Sequence, residues 1–345
     1  MIKAAILGAT GAVGQRFVHL LLDHPWFEIS AVAASDRSKG LQYQDAIRWK
    51  FLDSVPESIG ELKVKPTDPK ALDDADIVFS ALPSEEAGKI EESFAKSGSL
   101  VFSNASSHRM DPDVPILNPE VNGEHISLLD IQRRRRKWDG AIITNPNCTA
   151  AIFTLSLKPI SDEFGIKRVL VSTMQALSGA GYPGESSLDM VDNVLPFINK
   201  EEEKVQQETL KILGSSSKMA SFKVSASCHR VPTLDGHLEA VFLETEKEAP
   251  IEDIADAMNN FSGEPQKLKL PTAPNKPIVL RKESNRPQPR LDRMAGGGMS
   301  VVVGRLRRDT ALDGIKYLVL GHNTIRGAAG CSILNAEYLK VKKYF

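Results

Sequence analysis

The sequence predicts a two-domain α/β protein: a Rossmann-like, doubly wound parallel sheet first, then an α+β unit built on a mixed sheet. Three observations carry that prediction. The chain opens on a buried strand, Ile2–Leu7, that runs at once into Gly8-Ala-Thr-Gly-Ala-Val-Gly14 and then a helical pattern through Val13, Phe17, Leu20 and Leu21. Short apolar runs then alternate with helical stretches as far as residue 152, the order expected of parallel strands joined by crossover helices. Late in the chain, residues 299–306 and 314–320 are two strand-like runs close enough together to pair antiparallel. At 345 residues there is material for two separate cores.

Taken in order, Gly8, Gly11 and Gly14 lie between a strand and a helix, where glycines let the backbone approach a pyrophosphate on the helix N-terminus. Gly8, Thr10, Gly11, Ala12, Val13 and Gly14 are therefore candidate cofactor contacts, although the same turn also serves plain strand–helix packing. The second strand, 28–34, ends in Ser35-Asp36-Arg37-Ser38-Lys39 rather than in the lone acidic residue that would hold the ribose hydroxyls of NAD. Ser35, Arg37 and Ser38 suit an additional 2′-phosphate, with Lys39 adding charge, so the cofactor expected is NADP. Further strands are expected at 76–82 and 100–102, separated by an amphipathic helix over 84–97. Arg109 follows in a loop at a strand carboxyl end, where an anion clamp and a surface salt bridge are both open readings. Arg133 to Arg136 close a polar helical segment, where cations complement the C-terminal dipole, and receive no site role.

Composition narrows the class. With 43 basic and 44 acidic residues, no global charge points to nucleic acid or a membrane surface. Three cysteines, Cys148, Cys228 and Cys331, are too few and too scattered for a disulfide framework or a metal site. No run approaches the ~20 apolar residues of a membrane span. The chain starts directly on a strand without a signal-like segment, so a cytoplasmic protein with reduced thiols is expected.

The most informative stretch is Ala141-Ile-Ile-Thr-Asn-Pro-Asn-Cys-Thr-Ala-Ala-Ile152. A short β-branched strand is stopped by Pro146, and a helix begins near Thr149, with Asn147 or Thr149 as its cap. Cys148 thus sits at a helix N-terminus, where the dipole favours a thiolate and free N–H groups could hold an oxyanion. A lone cysteine is equally a small buried apolar residue, so the remainder of the chain decides. A strand over 167–176 carries Gln175 near its exit, followed by a glycine-rich loop from Ser178 and Gly179 to Gly184. Glu201-Glu-Glu-Lys204 opens a polar helix. His237 lies where another strand begins, seven residues after Arg230. Imidazole can exchange a thiol's proton, and guanidinium can bind a carboxylate bidentately. Residues 263–290, rich in proline and lysine, read as an irregular excursion. Asn323-Thr-Ile-Arg-Gly-Ala-Ala-Gly330 enters a last helix.

Gly8-Ala-Thr-Gly-Ala-Val-Gly14, Asn145-Pro-Asn-Cys-Thr149, Gln175 with Ser178-Gly179, and Arg230 with Gly236-His237 together resemble the aspartate-β-semialdehyde dehydrogenase family, in its archaeal and fungal branch, over the whole chain. The resemblance implies Cys148 as nucleophile, His237 as acid/base and Gln175 as an orienting group. It implies Arg230 on the substrate's α-carboxylate, Glu201 on its ammonium, and Arg109, Lys204 and Asn147 on phosphate. It adds Ser178, Gly179 and Asn323 to the NADP contacts, and it implies no metal. The implied domains are 1–147 with 323–345 for NADP binding, and 148–322 for catalysis and dimerisation. The implied reaction is NADPH-dependent reduction of aspartyl phosphate in lysine, threonine, methionine and isoleucine biosynthesis, by a homodimer or homotetramer. Malonyl-CoA reductase resembles the same branch. Asn147, with Asp235 before Gly236, is the feature that separates it. N-acetylglutamyl-phosphate reductase and a non-catalytic NADP sensor are more distant alternatives.

Overall fold

A computed structural model describes residues 1–51 and 53–345. The chain forms two compact units. The first comprises Met1–Leu117, Ile126–Asn145 and Asn335–Phe345; the second comprises Asn118–His125 and Pro146–Leu334.

In the first unit β1 (Ile2–Leu7), β2 (Phe27–Ala33), β3 (Ile77–Ser80), β4 (Leu100–Ser103) and β5 (Ala141–Thr144) form a wholly parallel sheet in the order β2-β1-β3-β4-β5. β3, β4 and β5 are buried along their whole length, which is why they read as unbroken apolar runs rather than as alternating ones. Helices Ala12–Leu21 and Ser84–Lys96 pack on it, with Phe17 stacked on Phe79 at 5.0 Å and Phe79 against Phe102 at 5.5 Å. The arginine-rich helix, Leu128–Arg136, is structural: Arg136 pairs with Asp113 (2.7 Å) and Asp111 (2.8 Å) and lies over Trp138.

The second unit holds a six-stranded mixed sheet, ordered β7-β6-β8-β11-β10-β9. Its strands are β6 (Ile166–Gln175), β7 (Lys223–Arg230), β8 (His237–Thr245), β9 (Ile278–Arg281), β10 (Val301–Arg308) and β11 (Ile315–Gly321). β10 and β11 pair antiparallel, as their spacing predicts. β9 corrects the expected irregular excursion: Ile278-Val-Leu-Arg281 is a short edge strand parallel to β10. The 17-residue helix Cys148–Phe164 packs on this sheet.

The division differs from the one expected at residues 147 and 323, for a physical reason. Arg326, fully buried, is bonded to Glu120 and Asn118, which holds 118–125 and 323–334 together in the second unit. Only from Asn335 does the last helix, Gly330–Val341, belong to the first unit. There Asn335 donates to Leu117 O (3.1 Å) and Asn145 Oδ1 (3.2 Å), and Glu337 meets His24 at 2.7 Å.

Candidate active site

In the first unit the glycine turn has the shape a dinucleotide needs. Gly8 has φ +69°, and a Cβ there would stand 2.5 Å from Ala81 O; one on Gly14 would stand 2.1 Å from Gly8 O. The turn is braced from behind, because Tyr43 Oη donates to Ala9 O (2.8 Å) and Gln15 Nε2 to Thr10 O (2.9 Å). Helix Ala12–Leu21 starts from Gly11 with no side-chain cap, so no capping side chain competes with an anion for the amides of its first turn. Ser35, Arg37 and Ser38 occupy the turn directly after β2, with Ser35 and Arg37 exposed. These residues fit NADP. Arg109, in the same unit, is buried, and its Nη2 donates to Asn104 O at 2.7 Å.

The second unit gathers the remaining candidates. Asn147 caps the Cys148 helix, its Oδ1 accepting from the amides of Thr149 (2.9 Å) and Ala150 (3.2 Å). This corrects one expectation: those two N–H groups are engaged by the cap, not available to an oxyanion. The cap is itself held, since Asn147 N donates to Glu208 Oε2 (2.6 Å) and its Nδ2 to Glu201 Oε1 (2.9 Å). Glu201 is the buried member of the three glutamates, with Lys204 Nζ at 4.0 Å; Glu202 turns instead to the amide of Cys228, and Glu203 is exposed.

Cys148 is the one cysteine that is not buried. Burial pushes the thiols of Cys228 and Cys331 up to about 12, which removes both as nucleophiles near neutrality. Cys148 Sγ lies 3.1 Å from His237 Nε2. His237 is fully buried, and its Nδ1 accepts the backbone N–H of Ala176 at 3.0 Å. A peptide N–H can only donate, so the proton of the neutral ring sits on Nε2 and points at the sulfur. Burial, then the charge of Arg230, then His322 hold the ring well below the usual imidazole range, which keeps it neutral. As an imidazolium it would turn a second N–H against Ala176. The expectation that His237 takes up the thiol's proton is therefore revised: this geometry supplies a hydrogen-bond donor to sulfur.

Arg230 ends β7 in register with Gln175 at the end of β6, and its Nη1 donates to Ala176 O at 3.0 Å. Gln175 is buried, with Nε2 on Thr173 Oγ1 at 3.3 Å. A Cβ on Gly179 would crowd the site, standing 2.8 Å from Arg230 Nη1 and 3.1 Å from His237 Cε1. Asn323 ties the loops beside them, donating to Ser178 Oγ (2.8 Å) and accepting from Gly236 N (2.9 Å). Cys148, His237, Gln175, Arg230, Asn147, Glu201, Lys204, Ser178, Gly179 and Asn323 thus all fall in one unit. Among the described residues no cluster has the make-up of a metal site. No helix among them is long and apolar enough to cross a membrane.

One buried acid was not anticipated. Glu239 lies two residues along β8 from His237 on the same face, is fully buried, and has no hydrogen-bond partner on either oxygen among the described residues. Burial and then Glu201 push its carboxyl well above the usual range. The folded protein therefore keeps a proton that the unfolded chain releases above about pH 4.5, so Glu239 makes stability fall as pH rises from there. Glu239→Gln keeps the shape and needs no proton. Its stability advantage over wild type should grow by up to about 1.4 kcal/mol per pH unit above that point. Thermal melts at pH 5 and pH 8 measure this; parallel pH dependences for the two proteins would refute it.

A thiol facing an imidazole N–H at a capped helix start, beside a buried arginine in one unit, and a dinucleotide-binding turn in the other, are the features of a cofactor-dependent oxidoreductase. Comparison with known proteins agrees. The family models described as "Semialdehyde dehydrogenase, NAD binding domain" and "Semialdehyde dehydrogenase, dimerisation domain" match residues 3–129 and 157–326. The chain is 55% identical over 344 residues to an aspartate-semialdehyde dehydrogenase of Methanothermobacter thermautotrophicus, covering 98% of this chain and 99% of that one. It is 45% identical over 351 residues to a malonyl CoA reductase (NADP) of Metallosphaera sedula, covering 99% and 98%. The crystal structure of aspartate semialdehyde dehydrogenase with NADP from Candida albicans superposes with a TM-score of 0.92 at 41% identity, covering all of both chains. The chain belongs to the aspartate-semialdehyde dehydrogenase family.

Proposed function

We propose that this protein is an NADP-dependent, phosphorylating aspartate-semialdehyde dehydrogenase, which in the biosynthetic direction converts L-aspartyl 4-phosphate to L-aspartate 4-semialdehyde and phosphate. The observation that carries this reading is the 3.1 Å contact between Cys148 Sγ and His237 Nε2 in a site that also holds Arg230 and Glu201. A buried guanidinium and a buried carboxylate complement the α-carboxylate and α-ammonium of an amino-acid substrate. The cofactor assigned to the Gly8–Gly14 turn, with Ser35, Arg37 and Ser38 on the 2′-phosphate, is NADP; bound as NADPH it supplies a hydride.

With its proton released to solvent, Cys148 attacks the acyl carbon as a thiolate: a C–S bond forms, the C–O bond to phosphate breaks and phosphate leaves. His237 Nε2–H, aimed at sulfur, is also placed to donate to the oxygen that gains charge on the carbon bonded to that sulfur, with Gln175 orienting the acyl group. Of the acid/base role implied by resemblance, the donor half is the one this ring is arranged to fill. Arg109 and Lys204 are proposed for the phosphate, and Ser178, Gly179 and Asn323 for the cofactor contacts in the second unit. Once the acyl carbon is reduced, the C–S bond breaks and Cys148 returns as thiolate. The product would feed lysine, threonine, methionine and isoleucine synthesis. A homodimer is proposed through the open face of the mixed sheet and the loop beside it: Leu170, Leu188 and Phe197 are 40, 90 and 69% exposed, inside the segment that matches the dimerisation-domain model.

The similarity to a malonyl CoA reductase sets the test. Phosphate-dependent reduction of NADP⁺ with aspartate semialdehyde should far exceed CoA-dependent reduction with malonate semialdehyde. Arg230→Leu should raise KM for aspartate semialdehyde by at least about tenfold, the worth of a charge-assisted clamp. Normal binding by that variant would move the CoA reading ahead.

A further inference from the structure

Arg326 and Gly327 have no part in the roles above, yet they bear directly on Cys148. Residues Ile325–Ala329 make a kinked turn, with Gly327 N–H donating to His322 O at 3.0 Å, Ala329 N–H to Thr324 O at 3.2 Å, and Ala328 outside helical geometry at φ −151°, ψ −105°. Five-residue bonds of this kind interrupt a regular helix and are frequent at functional sites. The backbone they present here is that of Gly327. A Cβ on it would stand 2.7 Å from Cys148 Cβ, 2.9 Å from Cys148 Cα and 3.2 Å from Cys148 O. The peptide of Gly327 is therefore a wall against the cysteine, and a wall made of backbone does not yield as a side chain does.

What holds this wall in place is buried and polar. Arg326 Nη1 donates to Glu120 Oε1 (2.8 Å) and Nη2 to Glu120 Oε2 (2.7 Å), and Nη2 also donates to Asn118 Oδ1. The ion pair is fully buried on both sides. Asn118 then closes the circuit onto the helix of Cys148, its Nδ2 donating to Ala151 O (3.1 Å) and Thr154 Oγ1 (3.3 Å). Glu120 is packed against Gly263, where a Cβ would stand 2.7 Å from Glu120 Cα. A buried ion pair gains little over apolar packing, so stability alone gives small reason for one here. Fixed geometry gives a better reason, because a guanidinium bonded by two arms to one carboxylate and by a third contact to an amide has little freedom left.

We propose that Arg326, Glu120 and Asn118 form a positioning clamp that seats the Gly327 backbone against Cys148 and so fixes the sulfur in contact with His237. This rests on the reading of Cys148 as nucleophile. Cysteine has three staggered χ1 wells, and only a held Cα–Cβ bond keeps Sγ within hydrogen-bond reach of a ring that is itself pinned by Ala176.

Gly327→Ala tests the proposal directly. The added methyl must displace Cys148, and a shift of about 1 Å at a reacting atom can cost up to about a hundredfold in rate. The variant should lose at least about tenfold in kcat while KM for NADP⁺ and for aspartate semialdehyde stays within about threefold. The second-order rate of iodoacetamide alkylation at Cys148, mapped by peptide mass spectrometry, should fall with it. If Gly327→Ala does not fold, Arg326→Lys keeps the charge but loses the fork. It should lower kcat and alkylation several-fold, with cofactor KM unchanged. Wild-type kcat and alkylation in a folded variant would overturn the clamp. So would a loss of kcat accompanied by an equal loss of cofactor affinity, which marks general loosening. Alkylation needs no substrate, so an altered labelling rate in a protein that fails to turn over aspartate semialdehyde would uphold the clamp and reject the proposed reaction.

Discussion

Cys148→Ser is expected to reduce turnover to below about a hundredth of the wild-type rate, while NADP binding is unchanged. Serine preserves the Asn147 cap and the start of the helix, so the fold has no reason to change. What it loses is an atom that ionises near neutral pH and forms an acyl bond from which a hydride can be accepted. Neither of the other thiols can substitute, because Cys228 and Cys331 are buried and held up to about 12. Steady-state kinetics in both directions, with fluorescence titration of NADPH, measures the two halves separately. Retention of several per cent of the rate would show that the acyl group travels by another residue.

The second large effect is expected at His237. His237→Asn should lower kcat by about 10²–10⁴ with KM for the aldehyde within a few-fold. Asparagine can still accept the Ala176 N–H near the position of Nδ1, but it ends short of the place from which Nε2 reaches the sulfur at 3.1 Å. The substitution therefore removes the donor and keeps the packing. The pH behaviour follows from the same contacts. The folded-state pKa is depressed, so His237 stays neutral where the unfolded chain would protonate it, below about pH 6.5. Its contribution to stability is present above that pH and is lost as pH falls below it. Accordingly His237 should carry no charge change between pH 7 and 8, and its ¹⁵N shifts should report an Nε2–H tautomer throughout. An imidazolium signal near neutrality would overturn the donor assignment.

Much of this was legible in the sequence, because the signals are local. The glycine turn needs only Gly8 and Gly14, and the structure shows what a Cβ would strike at each. The strand–proline–cysteine–helix order around Cys148 is contiguous, and His237 does begin a strand. Other features could not be seen there. Which of Glu201, Glu202 and Glu203 faces inward depends on the phase of a helix whose first turn is uniformly acidic. β7, Lys-Val-Ser-Ala-Ser-Cys-His-Arg, alternates small residues with polar ones, and lacks the apolar run that announces a strand. β9 is four residues long at a sheet edge. The donor that sets the His237 tautomer is a backbone amide 61 positions away, and the partner of Arg326 lies 206 positions upstream. Backbone groups carry no residue signature, and an ion pair so distant has no spacing to read. The Asn323 segment shows the consequence: the resemblance implies that 323–345 belongs with the NADP-binding domain, whereas Gly327 packs on Cys148.

The central claim is that Cys148 carries the acyl group. Wild-type enzyme mixed with L-aspartyl 4-phosphate in the absence of cofactor should release close to one equivalent of phosphate per site and then stop. Rapid acid quench and peptide mass spectrometry should place a single aspartyl thioester on the peptide that contains Cys148. Phosphate release that waits for NADPH, or an aspartyl adduct on any other residue, would contradict the account.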